Sequence, residues 1–287
     1  MSCLATGMSD PSCDMSHADR IRMALRSPSG YAVLTVEHIG DTLHGELEGD
    51  DVPWFVPQLS RLLGLSYSPP SLQGPRALQA AAVRYQGMRL PQAPLLFPRI
   101  VQVMLQQLIS YRDAAAGWRS LLRKHGQRLD DHDGLIVPPG AEQLKKLPEH
   151  DYVGCNILPQ HGRRIAGVAR HAKRIESTWQ SEQPDRGERT CALLSKLPGI
   201  GPWTVGFLSG SSMGLADAVM PGDYSLPAQV AWFFQRATEA DDELMLRLLE
   251  PFQPHRYYAL LLVIKAGNGP PRRGPRTRPI SRHFRRS

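Results

Sequence analysis

Two patterns of apolar residues divide the chain. Tyr31 to Glu37 reads YAVLTVE, rich in β-branched and aromatic residues, and Gly40-Asp41 supplies a turn. Thr42 to Leu47 then alternates, with Leu43 and Leu47 on one face and Thr42, His44 and Glu46 on the other. This pattern predicts a β-hairpin. Asp51 and Pro53 carry helix-start signals, and Phe55, Leu59, Leu62 and Leu63 form one stripe that Gly64 ends. After Leu90 nearly every segment has the helical period. Pro98 opens a helix carrying Ile100, Val103, Met104 and Leu108, and Asp113 caps the next, with Trp118, Leu121 and Leu122. Gly162 precedes one long helix through Ile165, Val168, Ala169, Ala172 and Ile175, and further helices follow Thr190, Pro202, Asp223, Asp241 and Pro254. The expected fold is therefore mainly α. A flexible N-terminus over 1–20 leads into a small α+β domain over 21–90, an all-α domain over 91–268 and a basic disordered tail over 269–287.

Composition narrows the class. In 287 residues, 41% are hydrophobic and 21% charged, which excludes a chain disordered throughout. No apolar run approaches the roughly 20 residues that span a bilayer. Met1 to Arg20 lacks a cationic patch followed by an apolar stretch, so no secretory signal is expected. Cys3, Cys13, Cys155 and Cys191 are too scattered for a disulfide scaffold, which fits a reducing compartment. Cys155, His161, His171 and Cys191 also lack the short paired spacings of a zinc site.

The net charge of +7 matters mainly through its placement. Residues 271–287 hold seven arginines and no acid, so the tail alone equals the excess. It reads either as an arm attracted to polyanions or as a solvated tail without a role. Residues 91–210 carry a further +5 on what should be folded surface.

The chemistry is concentrated between Leu193 and Val230. LLSKLPGIGPWTVGFL, Leu193 to Leu208, reads as a helix end, a glycine turn at Leu197-Pro198-Gly199-Ile200-Gly201, and a second helix begun by Pro202. Gly199 and Gly201 allow positive φ and close backbone approach, while the first amides of the following helix point outward with the positive end of its dipole. Such a turn can grip a phosphate without a basic side chain. A bare G-x-G would be an ordinary helix–helix turn, but Leu197 and Ile200 buttress this one on both sides.

These residues resemble the helix-hairpin-helix DNA glycosylase superfamily. Val219-Met220-Pro221-Gly222-Asp223-Tyr224 supplies the family's Gly/Pro loop and aspartate about twenty residues past the hairpin. GIGPWT, PGDYSLPAQ and QQLIS at Gln106 to Ser110 are most similar to bacterial 3-methyladenine DNA glycosylase II, over roughly residues 25 to 268.

The resemblance implies roles residue by residue. Asp223 would be catalytic, stabilising oxocarbenium character on the deoxyribose and orienting or deprotonating water, and it would also serve as a helix N-cap. Bifunctional relatives carry a lysine two positions beyond the second hairpin glycine; here that position is Trp203, which cannot form a Schiff base. A monofunctional enzyme that leaves an abasic site follows. Leu108 would be the wedge that fills the stack of a flipped base, unless it is a core leucine. Trp203, Phe207 and Tyr224 would form the base pocket, where cation–π attraction favours a cationic alkylated purine by about 0.5 to 2 kcal/mol. Gly199, Gly201, Thr204 and Gln107 join Leu108 as DNA contacts. His255 stands where the family pattern has tryptophan, so one pocket wall can differ.

No cysteine follows Cys191, which excludes the iron–sulfur cluster of endonuclease III-like relatives. No cofactor is expected, apart from a candidate monovalent cation at the hairpin. The implied partner is double-stranded DNA with damaged bases, met by a monomer in the bacterial cytoplasm at the nucleoid, without a membrane. Two alternatives share much of the machinery. One is a glycosylase for deaminated or oxidised bases, which differs in the pocket. The other is a non-catalytic DNA-binding protein, which needs only the hairpin and basic surface.

Overall fold

The computed structural model describes residues 10–267, 269 and 270. The predicted tail from 271 onward, and residues 1–9, lie outside the described residues. The chain is mainly α with a small N-terminal antiparallel sheet. Strands β1 (Cys13–Asp14), β2 (Arg20–Arg26), β3 (Tyr31–Ile39) and β4 (Thr42–Glu48) come first. Helices α1 (Val52–Phe55), α2 (Leu59–Leu62), α3 (Arg76–Arg84), α4 (Phe97–Leu105) and α5 (Tyr111–His125) follow. After the ladder of β5 (Gln127–Leu129) and β6 (Leu135–Val137) come α6 (Ala141–Leu144), α7 (Glu149–Gly154), α8 (Pro159–Ala169), α9 (Ala172–Trp179) and α10 (Arg186–Leu194). The C-terminal helices are α11 (Pro202–Ser211), α12 (Leu226–Gln235), α13 (Asp242–Leu249) and α14 (Arg256–Lys265). Among the described residues no helix is long and apolar enough to cross a membrane.

The predicted hairpin is β3 and β4, with Leu34 opposite Leu47 and Ile39 opposite Thr42. It belongs to a sheet of four strands in the order β1-β2-β3-β4, because Arg20–Arg26 adds a strand and Cys13–Asp14 another. Residues 10–20 therefore depart from the expected flexible terminus. A buried polar anchor explains the order: Asp10 accepts from Ser12 N and Oγ at 3.0 and 2.7 Å and from Trp118 Nε1 at 3.0 Å. A buried carboxylate held by several donors fixes the chain that carries it.

The chain groups into two compact units that do not follow the expected boundary between 21–90 and 91–268. Within the described residues, the first unit comprises 10–59 and 93–199, and the second comprises 60–92 and 200–270. In the first, Ala24 and Val33 of the sheet share a core with Leu129, Leu135 and Val137. In the second, Leu78, Ala81 and Leu90 share a core with Met220, Val230, Met245, Tyr258 and Leu260. The change in sequence texture near Leu90 reports local period, whereas these groupings depend on long-range packing.

Several helix boundaries move for local reasons. The helix from Pro98 stops at Leu105, before Leu108. Ser110 rather than Asp113 caps α5, with Ser110 Oγ accepting from Asp113 N at 3.2 Å and donating to Asp113 Oδ2 at 2.7 Å. The long helix after Gly162 breaks at Arg170–His171 into α8 and α9. Thr190 lies inside α10, where its hydroxyl donates to Arg186 O at 2.7 Å.

Candidate active site

The turn from α10 to α11 has one glycine in the left-handed region. Gly199 has φ +86°, and a Cβ there would lie 2.8 Å from Cδ of Arg164 on α8. Gly201 has φ −95° and ψ 178°, ordinary extended backbone, and a Cβ on it would meet open space. The positive φ that both glycines allow is therefore used only at Gly199. Leu197 and Ile200 are both buried, as buttresses of the turn should be. Gly201 is the N-cap of α11 without a side-chain cap, Pro202 carries no N–H, and the first helical bond runs from Val205 N to Gly201 O at 3.0 Å. The positive end of α11 thus begins beside an unobstructed surface position.

Within the first unit the structure brings Gln107 to the same turn. Its Nε2 donates to Gly199 O at 2.8 Å. Leu108, the next residue, has φ +58° and is 92% exposed. A leucine in the left-handed region that places its side chain in solvent is not a core residue, and the backbone conformation costs about 1–2 kcal/mol. At the other end of this segment Glu176 holds the start of α4, accepting from Leu96 N at 3.0 Å and Phe97 N at 2.7 Å. Burial pushes the Glu176 carboxyl up to about 7, against the pull of those two amides.

Within the second unit Asp223 is held on both oxygens. Oδ1 accepts from Ser225 N at 2.9 Å, Leu226 N at 3.0 Å and Ser225 Oγ at 3.2 Å, which ties it to the start of α12. Oδ2 accepts from the indole Nε1 of Trp203 at 2.8 Å. The N-cap of α12 is Ser225 rather than the expected Asp223, whose carboxylate takes the Ser225 and Leu226 amides from two residues further upstream. The Trp203 ring also packs on Phe207, with centroids 5.4 Å apart and planes at 44°. Tyr224 does not join them: its side chain is fully exposed. Thr204 is buried because α11 turns that face inward, so its hydroxyl is not at the surface as a DNA contact requires.

Sequence reasoning missed the residues that seat Asp223. A Cβ on Gly206 would lie 2.0 Å from Val219 O, and one on Gly210 would lie 2.2 Å from the Tyr257 ring. Two glycines four apart on α11 therefore admit the Val219–Asp223 segment and α14 to close range; the GFLSG spacing was the available signal. Asp242 Oδ2 accepts from Gly222 N at 2.7 Å. Asp217 takes a forked pair from Arg256, Nε at 2.8 Å and Nη2 at 2.6 Å. His255 is half-buried at the start of α14, with Nδ1 3.2 Å from the hydroxyl of Tyr67.

No protein-family model matches the chain. The 3-methyladenine DNA glycosylase from Archaeoglobus fulgidus superposes with a TM-score of 0.73 at 16% identity, covering 93% of each chain. The chain shares the fold of that solved structure. A second protein similar to this chain is the 8-oxoguanine glycosylase/lyase of Clostridium acetobutylicum in complex with double-stranded DNA. Its TM-score is 0.61 at 13% identity, over 86% of this chain and 94% of that one. Among curated proteins, the probable bifunctional transcriptional activator/DNA repair enzyme AlkA of Mycobacterium tuberculosis is 25% identical over 228 residues. That match covers 75% of this chain and 44% of the relative, so the chain spans less than half the length of the curated protein it matches.

Proposed function

We propose that this chain is a monofunctional DNA glycosylase that hydrolyses the N-glycosidic bond of alkylated bases, of the 3-methyladenine and 7-methylguanine type, in double-stranded DNA. The observation that carries the reading is the Trp203–Asp223 pair. The carboxylate is oriented by Ser225, Leu226 and Trp203 together, as a group must be that stabilises positive charge developing on a sugar. Trp203 fills the position where bifunctional relatives hold their lysine, so water rather than an amine takes the sugar carbon and an abasic site remains. Electrons of the breaking bond leave with the base, which is already cationic when alkylated and needs no general acid.

The remaining residues take supporting roles in this reading. Leu108 fills the gap left by the flipped base, and the cost of unstacking is met by contacts made on insertion. The Trp203 and Phe207 rings give the extruded base a π-face, and Gly201 at the start of α11 receives a phosphate. The protein acts as a monomer without a resident cofactor. A second reading, release of an oxidised base, is raised by the likeness to the 8-oxoguanine glycosylase/lyase.

Base release from matched duplexes carrying alkylated, deaminated or oxidised lesions separates the readings. Release of the alkylated bases, no adduct trapped by borohydride, and loss of release in Asp223→Asn with duplex binding kept within a few-fold are expected. Release confined to oxidised bases, or a trapped adduct, overturns the proposal. Binding without any release favours the non-catalytic reading.

A further inference from the structure

We propose that Arg164 and the backbone of Gly199 form a contact site for a phosphate of the DNA backbone, next to the segment that carries Leu108. Three segments of the first unit meet there. Gly199 lies in the turn that follows α10, Arg164 on α8, and Gln107 just past the end of α4. A Cβ on Gly199 would lie 2.8 Å from Cδ and 3.0 Å from Cγ of Arg164, so the stem of the arginine lies across this glycine. Gln107 Nε2 donates to Gly199 O at 2.8 Å. The Gly199 N–H has no hydrogen-bond acceptor among the described residues.

The positive charge at this place is unmet. Residues 106–110, the whole of α8 and residues 195–199 contain no acidic side chain. Arg163, the neighbour of Arg164 on α8, is paired with Glu149 at 2.6 Å. Arg164 itself is exposed, and among the described residues no carboxylate forms an ion pair with it. His161 lies one turn earlier on α8 and is buried. Burial first, and the Arg164 charge second, hold it below the ordinary histidine range, so it feels the guanidinium without countering it.

The chemistry of the pair suits a phosphodiester. A guanidinium fork matches the tetrahedral oxygens of phosphate, and a backbone N–H adds a second donor without charge. Arg164 also loses less freedom on binding than a free arginine would, because its stem already rests on Gly199. Contacts of this kind fix the register of a protein on a duplex without reading its sequence. Register matters here because Gln107 ties Gly199 O to the residue before Leu108, whose side chain is 92% exposed. A phosphate held at Gly199 therefore sets the place from which Leu108 enters the stack.

Because the site rests on the reading of this chain as a DNA glycosylase, it is tested by binding rather than by base release. The measurement is the affinity of the full chain for an undamaged duplex, by fluorescence anisotropy from about 50 to 200 mM salt. Arg164→Met keeps a stem on Gly199 without the charge. It should weaken binding about five- to twentyfold and flatten the slope of log affinity against log salt by about 0.9, the share of one phosphate. Arg164→Lys keeps the charge but not the fork, so it should keep the slope and lose about two- to fivefold. Arg163→Met, whose arginine is already paired, should keep a slope near wild type. The proposal fails if folded Arg164→Met keeps the wild-type slope, or if Arg163→Met flattens it equally, which would mark general surface charge. Inorganic phosphate titrated at constant ionic strength separates the two sources of the ligand. Saturable phosphate binding that Arg164→Met abolishes, with duplex affinity unchanged, would assign the site to a free ion and overturn the DNA contact. A duplex bound with the expected salt response but never relieved of a base would sink the enzyme reading and keep this site.

Discussion

The indole nitrogen of Trp203 and the carboxylate of Asp223 are joined by a 2.8 Å hydrogen bond across twenty positions of sequence. The bond couples the first turn of α11 to the segment that precedes α12, so the residue behind the hairpin also aims the carboxylate. Trp203→Phe retains an aromatic ring beside Phe207 but removes the N–H donor, together with part of the ring surface. Hydrogen bonds to charged groups contribute about 1.5–3 kcal/mol, which predicts a 10- to 100-fold slower single-turnover base release. Duplex affinity should stay near wild type. Wild-type release by a folded Trp203→Phe enzyme would show that the other three donors suffice to aim Asp223.

Leu108 offers a test in which stability and activity move in opposite directions. Its φ of +58° and its exposure mean that the native fold gains little from this side chain and bears the strain of its backbone. Leu108→Gly should therefore keep or raise stability, with a gain of up to about 1 kcal/mol from relief of the left-handed conformation. Base release should fall, because no side chain remains to hold the gap in the stack. Chemical denaturation and single-turnover kinetics on the same preparation check both halves. A destabilised variant would mean that Leu108 packs in the fold.

The sequence made the hairpin, the aspartate and the helical character legible because each has a local signature. Leu197-Pro198-Gly199-Ile200-Gly201 announces a turn by its glycines, and Asp223 announces the nearby start of a helix. What stayed hidden depends on contacts between distant residues. Nothing near Arg20–Arg26 says that it will pair along its length with β3, and nothing in residues 60–92 says that they will join a core with α12 and α14. Tyr224 and Thr204 illustrate the same limit within the site. Their residue types suit a pocket and a phosphate contact, but the bend before α12 leaves Tyr224 in solvent and the first turn of α11 carries Thr204 into the core. Gly206 was readable as a small residue on a helix, yet its purpose requires knowing that Val219 O would arrive at its Cα.

Glu176 gives the molecule a predictable pH dependence. Its carboxyl is raised from 4.5 to about 7, so the folded chain binds this proton more tightly than the unfolded chain does. Its contribution to stability is fully present below pH 4.5 and is lost as the pH rises through 7, by at most about 3 kcal/mol. Glu176→Gln removes the titration. The stability of wild type minus that of the variant should therefore decline between pH 4.5 and pH 8, read by urea denaturation at each pH. A difference that stays flat, or one that rises with pH, contradicts the burial argument.

The phosphate grip predicted at the start of α11 can be separated from any effect on folding through Gly201. This residue is the N-cap, lacks a side chain that could accept from the first-turn amides, and has both open space and an extended backbone that any residue adopts. Gly201→Asp should consequently improve the cap and complement the helix dipole, stabilising the fold by a few tenths to about 1 kcal/mol. The same carboxylate would occupy the place of a DNA phosphate and repel it. Duplex affinity should fall about tenfold or more, equally for damaged and undamaged sequences, because a phosphate contact carries no base information. Gly201→Ala, which adds a methyl into open space without charge, should bind much closer to wild type. Loss of stability cannot mimic this pattern, since the weaker binder is the more stable protein. If Gly201→Asp binds duplex as wild type does, no phosphate sits at this helix start, and the affinity resides in the basic surfaces instead.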